Sequence, residues 1–306
     1  MAANIPEVIL QNVTLSTNLT IFYREVGSPQ NPTIVLLHGF PSSSHQYRLL
    51  LPLLAASFHV IAWDYPGFGF SVAPKNFEYS FASLANTFGN FLDAISIKKY
   101  AVYIFDYGAP VFFRHILQQP DGVTAIIAQN GNIYQQGLGQ EFWAPLEQYW
   151  ASVDPQTGKP TNETKIIREQ LRTAIIEDPA GTKSQYTVGT PPGQLEQIAP
   201  ESYTLDYYLL NRPGIPDIQL DLLLDYRTNV EMYPQFREYL RGSNLPILAP
   251  WGENDIVFPP ISAELLKTDV PDVEIHLLDA GHFVLETDAT IVADLIVDFM
   301  HGKVSS

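Results

Sequence analysis

Six short apolar runs constrain this chain more than any other feature. They read TIVLLHG (33–39), HVIAWD (59–64), YAVYIFD (100–106), TAIIAQN (124–130), PILAPWG (246–252) and VEIHLLD (273–279). Each is too short for a globular helix and rich in Val, Ile or aromatic residues, as strands buried on both faces are. Helical patterns lie between them: HQYRLLLPLLAAS after the first, SFASLANTFGNFLDAIS before the third, APVFFRHILQQ after it, and TDATIVADLIVDFMHG near the end, with Gly302 as the expected stop. Strands alternating with helices predict an α/β fold whose mostly parallel central sheet is flanked by helices. Ahead of it, residues 7–16 and 19–27 alternate apolar and polar and read as two strands of a meander.

The rhythm breaks between about residues 134 and 226. That segment is helical in pattern, rich in tyrosine and punctuated by DPQTGKPTNET, DPAGTKS and TPPG. Within it, ETKIIREQLRTAIIED carries an apolar stripe at Ile166, Ile167, Leu171, Ala174 and Ile175. The expected organisation is a core formed by 1–133 and 227–306, interrupted by a helical cap at 134–226. A cap placed there covers the carboxyl ends of the strands, where open α/β folds bind ligands.

Composition removes several function classes. With no cysteine, disulfides, thiolate catalysis and Cys-ligated metals are excluded. A formal net charge of −16 repels nucleic acid and anionic membrane surfaces. No apolar segment reaches the length of a membrane span. The stretch MAANIPEVILQNVTLS lacks the basic and apolar regions of a secretory leader, so a cytoplasmic location is expected.

The third run ends in YIFDYGAP (103–110), which places Asp106 on a strand-to-helix turn. An aspartate there that merely caps the helix is the bland reading. The chemical reading starts from its charge: a carboxylate is ionised at neutral pH and attacks without a base. Attack on a carbonyl would give an anhydride, whereas attack on a saturated carbon gives an ordinary alkyl ester. Asp106 therefore suits displacement at an sp³ carbon, followed by hydrolysis of the ester. Epoxide opening and carbon–halogen cleavage both fit.

Hydrolysis needs a histidine to activate water. His282 lies in LLDAGHFVLET, a Gly-flanked loop between the last strand and the last helix. Asp255, in PILAPWGENDIVFPP, follows another strand and is the candidate acid that holds its tautomer. The remaining histidines, among them His45, His59, His115, His276 and His301, read as surface or core residues. LLHGFPSSS sets Gly39 and Phe40 just past a strand, so the backbone N–H groups of Phe40 and Tyr107 are the candidate oxyanion donors. The Phe40–Pro41 bond is a candidate cis peptide.

HGFPSSS, DYPGFGFS, FDYGAP, WGENDIVF and GHFVLE fall in an order that resembles the α/β-hydrolase superfamily, in the branch of epoxide hydrolases and haloalkane dehalogenases. The resemblance covers nearly the whole chain. The usual elbow, Gly-x-Ser-x-Gly, is here Ile104 to Gly108, with Ile104 in place of the first glycine. It implies the nucleophile–acid–histidine order Asp106, Asp255, His282 and no metal or organic cofactor. Haloalkane dehalogenases typically carry a tryptophan after the nucleophile and many an Asn after His-Gly; here these are Tyr107 and Phe40. Epoxide hydrolases use two cap tyrosines as proton donors. LLLDYRTNVEMY resembles the segment holding one of them, which implies Tyr226. The second falls in PLEQYWAS, at Tyr149 or in the competing register at Trp150. His38, Pro41, Trp143 and Trp150 are the substrate-binding candidates. The expected activity is epoxide hydrolysis to a diol. The alternatives are a dehalogenase with the same residues and a non-catalytic fold that binds a small ligand. The expected partner is a small hydrophobic molecule, with homodimer formation left open.

Overall fold

The computed structural model describes residues 6–304. Residues 1–5, the start of the stretch examined for a leader, and residues 305–306 lie outside it. Eight strands form one sheet: β1 Ile9–Thr14, β2 Thr20–Val26, β3 Thr33–Leu37, β4 His59–Trp63, β5 Tyr100–Phe105, β6 Val123–Gln129, β7 Ile247–Gly252 and β8 Glu274–Leu278. Their spatial order is β1-β2-β4-β3-β5-β6-β7-β8. β1 and β2 pair antiparallel, β2 joins β4 antiparallel, and every pairing from β4 to β8 is parallel. This is the mostly parallel, helix-flanked sheet expected from the strand–helix alternation, in the arrangement that the resemblance to α/β hydrolases implies.

Side-chain alternation along a strand explains why the central runs read as continuously apolar. On β5, Val102 and Ile104 enter one core cluster while Ala101, Tyr103 and Phe105 enter the other, across the sheet. The first face is covered by α2 Phe81–Ala94 and α3 Gly108–Ile116; the second holds α1 Leu50–Leu54, preceded by a 3₁₀ turn at Ser44–Tyr47. The pattern over 45–57 thus yields only short helical pieces.

Between β6 and β7 the chain runs through α4 Gln140–Ala151, α5 Asn162–Leu171, α6 Pro179–Thr187, α7 Pro200–Leu210, α8 Ile215–Asp225 and α9 Arg227–Ser243. α5 opens on a capping box between Thr161 and Thr164. The stripe expected over 166–175 is only partly realised: Ile166 is 61% exposed and Ala174 is exposed. A π-helical turn at Arg172–Glu177 changes the residues-per-turn count and brings Ile176 inward instead. α10 Ile261–Asp269 and α11 Ala289–Lys303 complete the fold. α11 packs against α1 on the second face. It continues through Gly302, the expected stop; a Cβ there would meet open space, so that position imposes no turn.

Candidate active site

The turn after β5 holds Asp106 at φ +48°, the left-handed region that a side chain adopts only under constraint. Its backbone is fixed from both sides: Asp106 N–H donates to Asn130 O at 3.2 Å, and Ala109 N–H donates to Asp106 O at 3.1 Å. Two glycines make the fit possible. A Cβ on Gly39 would lie 2.2 Å from Asp106 Oδ1, and one on Gly108 would lie 2.5 Å from Leu37 O. Ile104, where a glycine is usual in such turns, is accommodated because its neighbours around a small void include Ala109 and Gly131.

One backbone amide holds the carboxylate: Phe40 N–H donates to Asp106 Oδ1 at 2.7 Å. The Tyr107 amide is near enough to favour the ionised carboxyl. The Phe40–Pro41 peptide bond is cis. Phe40 and Tyr107 carry the two amides singled out from the sequence, and here that of Phe40 binds the aspartate itself.

His282 Nδ1 lies 2.8 Å from Asp255 Oδ2. A carboxylate only accepts, so Nδ1 carries the proton and Nε2 is left as the basic nitrogen. Nε2 is buried and has no hydrogen-bond partner. Asp255 is held in turn: Val257 N–H donates to Oδ1 at 2.7 Å and Asn130 Nδ2 donates to Oδ2 at 2.8 Å. Gln129 Nε2 donates to His282 O at 3.0 Å and to Asn130 Oδ1 at 2.8 Å, and Tyr103 O–H donates to Gln129 Oε1 at 2.9 Å. Sequence reasoning passed over Gln129 and Asn130. The signal was there: two adjacent amides closing an otherwise apolar buried run.

Asp106, His282 and Asp255 are all buried. Burial pushes the Asp106 carboxyl up to about 6, against the pull of the His282 charge and the Phe40 and Tyr107 amides. Burial lowers His282, but the charge and hydrogen bond of Asp255, with a contribution from Asp106, outweigh it and leave the imidazole raised. Each of Asp106 and His282 thus lies in the other's field.

Asp106 opens onto a narrow cavity with about 10 Å³ of free space, room for about one water molecule. Its walls include Phe40, Tyr107, Trp143, Ile175 and Gln185. The other sequence candidates fall into two groups. Trp143 lines the cavity, with its indole N–H donated to Val257 O at 2.9 Å. Tyr226 lies one layer out, its ring 4.7 Å from Trp143 and 5.8 Å from Tyr107. The Tyr226 hydroxyl pairs with that of Tyr233 at 3.2 Å.

The rest do not line the cavity. Tyr149, expected to pair with Tyr226, instead accepts at its hydroxyl from Arg168 at 3.2 Å, on the side of α4 that faces α5. Trp150 stacks on Tyr226 with centroids 6.0 Å apart, and its N–H donates to Leu223 O at 2.8 Å. His38 is fully buried with both ring nitrogens engaged, Nδ1 by Gly39 O at 3.0 Å and Nε2 by Tyr65 N–H at 3.2 Å. Burial pushes it down to about 4. Pro41 is buried beside the cis bond. Tyr233, the Tyr107 hydroxyl and Gln185 are polar groups near the site that the sequence did not single out; of Tyr107 it named only the backbone amide. The Tyr107 hydroxyl is buried without a partner.

Among the described residues, no helix is long and apolar enough to cross a membrane. Residues 32–289 match the family described as the alpha/beta hydrolase fold. An uncharacterized hydrolase of Saccharomyces cerevisiae is 44% identical over 285 residues, covering 93% of this chain and 94% of that protein. A haloalkane dehalogenase of Psychrobacter cryohalolentis is 29% identical over 315 residues, covering 97% of this chain and 93% of its own. The structure of potato epoxide hydrolase I superposes with a TM-score of 0.72 at 19% identity, covering 96% of this chain and 99% of that one, a likeness of fold alone. With its sheet order, its strand–Asp106–helix turn and a match spanning most of its length, this chain belongs to the alpha/beta hydrolase family.

Proposed function

We propose that this hydrolase opens epoxides to diols through an ester on Asp106, with residues 134–226 acting as a cap over the site. The observation that carries the reading is the buried Asp106 carboxylate, held by the Phe40 amide on a strained turn and lying in the field of His282. In the first step an Asp106 oxygen attacks an epoxide carbon, the carbon–oxygen bond breaks, and a tyrosine hydroxyl gives its proton to the departing alkoxide. In the second step His282 Nε2 takes a proton from water, and the hydroxide so formed adds to the Asp106 carboxyl carbon. The Phe40 and Tyr107 amides bind the resulting oxyanion. Collapse expels the diol alkoxide, which takes the proton of the freed Asp106 carboxyl, and the imidazolium proton returns to the tyrosinate, so that Asp106, His282 and the tyrosine are all regenerated.

Tyr226 is the assigned proton donor, and Tyr233 replaces Tyr149 as its partner. Their hydroxyls are in contact, and both tyrosines feel the charge of Asp106. The free space admits about one water. A substrate therefore enters only as the cavity walls give way, and Tyr226 lies directly behind one of them, Trp143.

A second reading, carbon–halogen hydrolysis by the same residues, has support of its own. Curated relatives at 25–29% identity are haloalkane dehalogenases. The unpartnered Tyr107 hydroxyl on the cavity wall suits a departing halide as well as an alkoxide.

His282→Gln separates the two. The variant should stall with an ester on Asp106, seen by intact mass. An epoxide adds its whole mass; a haloalkane adds its mass less that of the hydrogen halide. Absence of an adduct from a substrate that the unsubstituted enzyme turns over would end the scheme.

A further inference from the structure

We propose that Gln185 is a specificity-determining residue that selects neutral epoxides carrying a second oxygen function, a hydroxyl or carbonyl, on the skeleton beyond the reacting carbon. The inference rests on the epoxide reading for the reacting end and concerns the other end of the substrate.

The polar groups of the insertion around the cavity are nearly all committed. The Trp143 and Trp150 indoles donate to backbone carbonyls. Tyr149 accepts from Arg168, and Tyr226 pairs with Tyr233. The Tyr186 hydroxyl donates to Asp206. Gln185 is half-buried and lines the same cavity as Asp106, and among the described residues its amide enters no side-chain hydrogen bond. An amide has two donors and an acceptor. Closing a ligand over it leaves those groups unsatisfied unless the ligand supplies partners, which weakens binding.

Its placement is fixed relative to the catalytic loops. Successive helical residues point about 100° apart, so while Gln185 faces the cavity, Tyr186 turns to a different side of α6. There the Tyr186 ring stacks on Phe283, the residue after His282, with centroids 3.8 Å apart. Just past α6, a Cβ on Gly189 would lie 2.3 Å from Asn254 O, next to Asp255. On the histidine loop, a Cβ on Gly281 would lie 2.3 Å from Val188 O. The helix that carries Gln185 is thus packed against both the acid loop and the histidine loop. An amide held this way reads a substituent at a set displacement from Asp106. No cationic side chain lines the cavity, so an anionic substituent would lose its hydration with no opposite charge to replace it. The selected group is therefore neutral.

The test uses two epoxides of one skeleton, one with a terminal hydroxyl and one with methyl in its place. Calorimetric Kd values are measured on Asp106→Asn protein, which binds without turnover, with and without Gln185→Leu. The expected result is a loss of about ten-fold for the hydroxylated ligand and no loss for the methyl ligand. An equal effect on both, no effect on either, or no binding of either ligand overturns the role of Gln185. Failure of the unsubstituted enzyme to form diol from either compound would sink the epoxide reading separately, with the binding comparison still judging Gln185.

Discussion

The sheet edge and the helical insertion treat buried polar groups in opposite ways. At the edge, polar side chains are bound to one another and to the backbone around Asp106. Asp255 is saturated by Val257, Asn130 and His282, Asn130 is fixed by Gly252 and Gln129, and Asp106 is held by the Phe40 amide. In the insertion, hydroxyls and indoles tie helices to one another and to the core, as Tyr149 does through Arg168 and Tyr186 through Asp206. The difference teaches where chemistry and selectivity reside. Groups held by strand ends are preorganised for one transition state. Groups in the insertion are mostly structural, which leaves discrimination to residues of the cavity wall whose polar ends have no partner, Tyr107 on the core side and Gln185 on the insertion side.

That contrast can be broken most sharply at Asp106. Asp106→Asn should lower kcat by at least about 10⁴-fold with the fold intact by circular dichroism, since catalytic groups that act as a unit fail together. The pH profile carries the same point. Asp106 must be ionised and His282 neutral, so kcat/KM should fall as pH drops through about 6 and through the raised His282 value. A profile flat to pH 5 would contradict it.

In the insertion the largest expected effect is on stability. Burial pushes Asp206 up to about 8, against its bond from Tyr186. A carboxyl raised on folding favours the folded state fully below its unfolded pKa, and that contribution is lost as pH rises to about 8. Relative to Asp206→Asn protein, the urea midpoint of the unsubstituted protein should therefore decline between about pH 4 and pH 8, by an amount on the order of a few kcal/mol, while His38, His45 and His115, each pushed down by burial to about 4, act in the opposite direction in both proteins. An unchanged slope would show that the group titrates normally.

Smaller effects sharpen the comparison. Asn130→Ala removes one donor from Asp255 and loosens the His282 loop through Gln129. We expect kcat to fall about 10²-fold with KM little changed, as misplacement of a catalytic group by about 1 Å does. Tyr149→Phe should leave kcat within about two-fold while lowering stability by about 1 kcal/mol, the net worth of one hydrogen bond. A large kcat loss there would return Tyr149 to the chemistry and erase the distinction between the two regions.

The short runs that became β3 to β8 were legible because both faces of a central strand are buried, so its composition alone announces it. Asp106, Asp255 and His282 were nameable because each falls one to four residues past a strand, where topology delivers it to a shared edge. The insertion was legible as helical but not in register. Tyr149 and Tyr233 lie on helices, and the partners that their hydroxyls meet, Arg168 and Tyr226, are set by tertiary packing that no local pattern marks. Gly302 read as a stop, yet α11 passes through it because nothing packs there to require a turn.

By itself, then, the sequence determined the sheet and the loops that carry Asp106, Asp255 and His282, since strand burial and chain order are local or topological facts. Tertiary structure decided which hydroxyl meets which, that Gln129 and Asn130 brace the acid and the histidine, and that Gln185 remains without a partner. Those outcomes depend on helix rotation and on long-range contacts that no local pattern encodes.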